Sequence, residues 1–366
     1  MKTTFEKFID NIYIIFTITF KDVVDALNNK LILSMIIGLS FMLLVPKGMS
    51  LIIVPPYTDV VVFDPGSSNF TAALEDSPLY RVRQANSIDE LEEIIGGMGF
   101  GLGAEFGIAV PSDFDQRAGS GEQIELDGFV NWSNRSKASR IKLEFEDQVE
   151  ELLGQPVYIN LAGNLVYPPY GSALMLGILT ITIITMILMI GITLVPFLLI
   201  EEKQTKTIEA LLVSPVSIPQ IVTGKALAGF FYVLVTAAVV FAIYWSGVVH
   251  WGLAILFVIG AGLFSVAVGL ILGSFFERQQ EIGGWIMVLL VFFIAAMFVV
   301  MLELQLPAVI QTIIPLVPSV ALGEVFVATF SVGTPIAQTI WNLVSVLMIS
   351  LLLYAIVIWK IRGQDK

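Results

Sequence analysis

Apolar residues recur in this chain in runs of 20 or more, and that feature limits the fold more than any other. Such a run spans a bilayer hydrocarbon core of about 30 Å when helical. In lipid every backbone amide and carbonyl must find its partner inside the protein, so the runs have to be helices. Six are present: Leu31–Val54, Ala173–Ile200, Lys225–Val248, Trp251–Phe275, Gly283–Glu303 and Ala337–Trp359. Hydrophobic residues make up 56% of the chain and charged residues 14%, with a mean hydropathy of +0.87. The fold class expected is therefore a polytopic α-helical membrane protein with six transmembrane helices. Between Leu306 and Thr334 the apolarity continues, but Pro307, Pro315, Pro318, Gly323 and Gly333 interrupt it. That pattern predicts a re-entrant hairpin over 306–334, shielded by protein, and not a seventh span.

Lysine and arginine set the orientation. Lys2, Lys7, Lys21 and Lys30 precede the first span, Lys203, Lys206 and Lys225 lie between the second and third, Arg278 precedes the fifth, and Lys360, Arg362 and Lys366 follow the last. The short segments on the other side carry none, so both termini are expected in the cytoplasm of a multi-pass cell-membrane protein. Lys47, near the outer end of the first span, is able to snorkel to the interface. Residues 1–30 read as an amphipathic interfacial helix. Phe5, Phe8, Ile9, Ile12, Ile15, Phe16, Phe20, Val23, Val24 and Leu27 share one side, with Asp10, Asn11, Lys21, Asp22 and Asp25 mostly opposite. An ordinary packed helix is the alternative. Its short apolar stretch and the lack of a small-residue cleavage site argue against a cleaved signal.

The net charge of −12 belongs to one region, because residues 55–169 hold 19 acids against 7 bases. This region reads as an extracytoplasmic α/β domain between the first span (31–54) and the five that follow (170–366). Its strands are expected at "DVVVF", "YRVRQ", "FGIAV", "EQIELDGFV" and "PVYINL", with a capping box at Ser87 and Glu90. A helix from about Lys137 to Leu153 should stop at Gly154. "GGMGFGLG" (Gly96–Gly103) lacks the GK[ST] ending of a P-loop and reads as a connection. Asn69, Asn131 and Asn134 head glycosylation sequons that suit exposed loops.

Cysteine is absent, which removes disulfides and thiolate chemistry, and His250 is the single histidine. No catalytic group, cofactor site or metal site is expected in this chain. His250 reads as an interface anchor beside Trp251.

One cytoplasmic stretch is more specific. In "EEKQTKTIEALLVSPVS", Glu201 to Ser217, Thr207 is placed to cap a short helix with Ile208, Leu211 and Leu212 on its apolar side. Pro215 and Pro219 bracket the turn back to Gly224 and Lys225. On residues alone this is compatible with a plain interfacial connector. It closely resembles, however, the signature of ABC type-2 permeases, in which E-K-E-x-G-T-L-E-x-L-L-x-S-P-V-S runs on to a G-K pair at the next span. Glu202, Lys203, Thr207, Glu209, Leu211, Leu212, Ser214, Pro215, Val216, Ser217, Gly224 and Lys225 match; Lys206 and Gln204 depart. Asp64 with Ser67, Pro111 with Asp113 and Phe114, and "IPLVPS" extend the likeness to the subfamily with a large extracytoplasmic domain.

The resemblance implies the permease subunit of an ATP-driven exporter, non-catalytic itself. Cytoplasmic ABC ATPase subunits would consume ATP and Mg and dock on segment 201–219 through Glu202, Lys203, Thr207, Glu209, Leu211, Leu212 and Pro215. A second permease chain, identical or related, would complete the path for a lipid-like, drug-like or ionic substrate through membrane lipid; nucleic acid has no place. The alternative is a mechanical or signalling protein that moves its outside domain without transport, and a secondary carrier is disfavoured by the lack of an inverted repeat. Ala261, Ser265, Gly269 and Gly273 recur every fourth residue and predict close helix packing. Glu303 and Glu324 stand in apolar surroundings and are candidates for an outer gate or exit path, or simply face water at a hairpin tip.

Overall fold

The computed structural model of the chain describes residues 4–28, 57–97, 106–120, 122–161, 164–167, 174–204, 217–302 and 307–364, with positions 30, 33–34, 37–38, 41, 104 and 304. Most of the first expected span, Leu31–Val54, lies outside the described residues. The described part is a helical bundle carrying one small α/β unit.

The unit is built on a mixed sheet. β1 (Thr58–Phe63) pairs in parallel with both β2 (Tyr80–Ala85) and β3 (Phe106–Ala109). β4 (Ile124–Asn131) runs antiparallel to β3 and parallel to β5 (Val157–Asn160) and the short β6 (Leu165–Val166). Alternation along β1 sends Val60 and Val62 to one face and Val61 to the other, and both faces are covered. On the first face lie α2 (Asn69–Asp76) with Phe70 and Leu74, α4 (Phe114–Ser120) with Phe114, and α5 (Ala138–Leu153) with Phe145 and Val149. On the second, α3 (Ile88–Gly97) contributes Leu91 and Ile95. Gly154 ends α5 at φ 69°, a left-handed position that a glycine tolerates. At α3 the Ser87 hydroxyl accepts from the Glu90 amide at 3.1 Å. The Glu90 carboxylate reaches one residue further back than expected, to the Asn86 amide at 2.7 Å.

Where β1 ends, Asp64 organises the turn. Its carboxylate accepts from the Gly66 amide at 3.0 Å, the Ser68 amide at 2.6 Å and hydroxyl at 2.7 Å, and the Thr71 hydroxyl at 2.6 Å. Partial burial pushes its pKa up, but the bonds from Thr71, Ser68 and Gly66 outweigh that and hold the carboxyl below the usual range.

Among the described residues, five helices are long and apolar enough to cross a membrane. They lie within α6 (Leu174–Gln204), α7 (Ile218–Ile243), α8 (Trp251–Phe275), α9 (Gln279–Met301) and α12 (Ile336–Gln364). α7 begins at Ile218 rather than Lys225, because Ser217 caps it, Gln220 returns to the Ser217 amide at 2.7 Å, and Pro219 suits the first turn. It ends at Ile243, before a 3₁₀ turn at Trp245–Gly247. Between α9 and α12 come α10 (Ala308–Ile313), a 3₁₀ turn at Ile314–Leu316 and α11 (Pro318–Phe330). Pro315 and Pro318 stand in the first turns of these last two elements, where a missing amide costs nothing.

The α/β unit meets the bundle through Trp132, in the 3₁₀ turn Trp132–Asn134 after β4. Its indole is 1% exposed and belongs to the bundle's core cluster. It packs on Phe330 with ring centroids 5.6 Å apart, and a Cβ on Gly247 would collide with it. The Val249 and His250 amides bond the Thr329 carbonyl at 2.9 and 3.0 Å, so His250 helps tie the α7–α8 turn to α11. Asn131 is 1% exposed, with its amide donating to the Ile95 carbonyl. That corrects the expectation of an exposed loop at this sequon: the side chain is spent on the core.

Candidate coupling site

At the end of the bundle away from Trp132, α6 stops, α7 starts, and α1 (Thr4–Asn28) lies across the start of α7. Contact between α1 and α7 is close because Gly224 has no side chain: a Cβ there would come within 2.6 Å of Ile18 Cγ2. Thr19 donates to the Gly224 carbonyl at 3.1 Å, Gln220 Nε2 to Asn11 Oδ1 at 2.6 Å, and Tyr232 to the Val23 carbonyl at 2.6 Å. At the centre Lys225 Nζ stands 3.2 Å from Asp22 Oδ2, with a longer bond to the Leu198 carbonyl of α6 at 3.4 Å. Both charged side chains are shut away from solvent, at 0% and 3% exposure. The ammonium thus ties α1, α6 and α7 together.

Asp22 was expected on the solvated side of α1 and is instead buried, because only a carboxylate there makes Lys225 tolerable inside the contact. The side of α1 left open carries Ile9, Ile12, Tyr13, Phe16, Phe20, Val24 and Leu27. The neighbouring helix ends are also tied. Gln204 of α6 donates to the Glu277 carbonyl at 3.2 Å. Lys360 of α12 donates to the Ser274 carbonyl of α8 at 3.0 Å and lies over the Phe275 ring. The Lys360 ammonium thereby meets a carbonyl in the last turn of α8, where carbonyls lack partners within the helix.

Glu202 and Lys203 lie in the last turn of α6, with side chains outside the described residues. Thr207, Glu209, Leu211, Leu212 and Pro215 lie outside the described residues altogether, as does Glu303. What the structure gives of this site is its frame, the braced ends of α6 and α7 on either side of 205–216.

The other predicted residues are described. Ala261, Ser265, Gly269 and Gly273 are buried along α8 against α6. A Cβ on Gly269 would collide with the Gly191 carbonyl oxygen and lie 3.1 Å from Pro196 Cδ. One on Gly273 would sit 2.9 Å from Pro196 Cα. Glu324, on α11, is half-buried and accepts from Gln338 Nε2 at 3.2 Å and from Asn342 Nδ2, both on α12. Sequence reasoning missed Asp22, Trp132 and this amide pair. Asp22 could have been suspected from Lys225, a charge standing inside a helix that must bury one side.

Compared with known proteins, residues 29–359 match the model of a family described as ABC-2 family transporter protein. No curated protein matches the chain.

Proposed function

The chain belongs to the ABC-2 transporter family, a family of multi-pass membrane proteins, and from that premise we propose that it is the permease subunit of an ATP-driven exporter in the cell membrane. It works with cytoplasmic ABC ATPase subunits, which use ATP and Mg, and with a second permease chain in the surrounding lipid. Residues 31–54 supply a sixth span, both termini are cytoplasmic, 55–169 form an extracytoplasmic α/β domain inserted after that span, and 306–334 form the outer re-entrant hairpin.

The observation that carries this reading is the brace around segment 201–219. A short segment docked on an ATPase transmits force only if its ends are rigid. Here α7 starts at a capped end locked to α1 by Lys225 and Asp22 and reaches α6 through the Leu198 carbonyl. Closure of two ATPases would then displace these helices as rigid bodies. In this mechanism Leu211 and Leu212 seat in the ATPase while Glu202, Lys203 and Glu209 orient it, with Thr207 and Pro215 shaping the short helix. The test is co-reconstitution of the chain with its ATPase in vesicles. ATP-dependent movement of an added substrate toward the side bearing the α/β unit supports export; hydrolysis without movement of any substrate favours the second reading. That reading, a mechanical protein that moves its outside domain, draws support from the seating of Trp132 among the bundle's aromatic side chains.

A further inference from the structure

The hairpin of α11 and α12 carries a carboxylate whose charge no described residue balances. Glu324 Oε2 takes both amide bonds from Gln338 and Asn342, while Oε1 receives no hydrogen bond or ion pair from any described residue. No Lys, Arg or His occurs anywhere between Gln279 and Trp359. Among the described residues, neutral carboxamides alone hold this anion, and Glu324 is the one charged residue of α11.

The neighbouring surface has a definite character. Gln338, Trp341, Asn342 and Ser345 lie within an arc of about 100° on α12, in a strip about 10 Å long. Trp341 is 72% exposed, with its ring open. Gln338 and Asn342 each present a carboxamide oxygen that the bond to Glu324 leaves unused. A carboxylate and two carboxamides on a bundle face turned to hydrocarbon are costly, so such groups line a water-filled or ligand-filled space. An anionic oxygen, neutral amide oxygens and an open indole together form the set that recognises an organic cation: the carboxylate supplies charge, the indole a cation–π face.

We infer that Glu324, Gln338, Trp341 and Asn342 form a binding site for an organic cation with an apolar body, such as a quaternary ammonium or phosphonium. The inference rests on the exporter reading and names its substrate class. The apolar flanks of α12, with Ile340 and Val344 exposed beside the strip, suit the body of such a molecule. Anions of the same size and shape are repelled by Glu324.

The experiment uses the permease with its ATPase subunits in lipid vesicles, with tetraphenylphosphonium and its isosteric anion tetraphenylborate as probes. Saturable binding is measured above that of permease-free vesicles. The site requires the parent to favour the cation by about tenfold or more, the size that one unscreened charge allows. Glu324→Gln should erase most of that preference, Glu324→Asp should keep it, and Trp341→Leu should weaken the cation alone. Equal binding of the two probes by the parent, or a preference unchanged in Glu324→Gln, overturns the site. So does a cation preference that rises in Lys47→Met, because Lys47 would then be the counter-ion that offsets Glu324 in the parent. A parent complex that hydrolyses ATP under control of the permease while showing no cation preference refutes only this site. A parent that associates with no ATPase refutes the exporter reading beneath it.

Discussion

Asp22 and Lys225 stand 203 residues apart in the chain and 3.2 Å apart in space, both enclosed. Removing one partner strands the other, which costs about 3–5 kcal/mol, whereas replacing both with apolar groups is often tolerated. Lys225→Met and Asp22→Leu singly should each lower thermal stability in detergent by that amount. The double variant should recover most of the loss. Additive losses would mean that the two side chains do not act as a pair. If the brace also transmits force, the double variant folds yet couples ATP hydrolysis poorly.

Gly269→Leu should prevent α8 from seating on α6, because even a Cβ at that position strikes the Gly191 carbonyl. Overpacking of this kind costs about 3 kcal/mol or more. Gly284→Leu on α9 is the control, since nothing lies within 4 Å of a Cβ there. Size-exclusion profiles of both variants decide the matter: a monodisperse Gly269→Leu protein would show that the stripe does not set the helix contact.

Trp132→Ala should undock the α/β unit from the bundle at a cost of about 3–5 kcal/mol, the range for losing a large buried aromatic. Gly247→Val should act alike by occupying the indole's seat. Limited proteolysis of the full chain is the readout, with faster cleavage around 132–138 expected in both variants. Parent-like cleavage in both would show that the unit is held elsewhere.

Acid should loosen the turn after β1. The Asp64 carboxyl is held below its ordinary value in the folded chain, so it stabilises the fold at neutral pH. That contribution declines as pH falls below about 4, the ordinary aspartate value, and through the depressed one. Asp64→Ala should cost about 1–3 kcal/mol at pH 7, since its donors lose a charged acceptor. It should also flatten the acid limb of the stability curve. An unchanged acid limb in the variant would assign the pH response to other carboxylates.

Much of the bundle is legible in the sequence because lipid permits so few solutions: long apolar runs have to be helices, and the extents of α6, α8 and α9 follow from them within a few residues. The start of α7 is less legible, because a lysine looks like the boundary of a span until its carboxylate is known. That carboxylate is Asp22, on a helix whose alternation of apolar and polar residues reads equally well either way up. Trp132 was hidden for a related reason. It sits in an Asn-Trp-Ser triplet that suggests a wet loop, and only the tertiary contact with Gly247 and Phe330 reveals a buried plug. Glu324 stood out as an isolated acid, but its amide partners lie on the next helix, and no local pattern links them.

The central claim is that segment 201–219 couples this chain to an ATPase, and Leu212 tests it most directly. A buried apolar anchor commonly dominates an interface, while a charge at its rim mainly tunes association. The measurement is co-purification of the ATPase with the permease, together with its hydrolysis rate in lipid. Leu212→Asp should release the ATPase or abolish permease-dependent hydrolysis, and Glu209→Ala should weaken coupling while leaving the complex detectable. A Leu212→Asp permease that inserts normally, retains its ATPase and supports hydrolysis at the parental rate would reduce the segment to a connector and contradict the account.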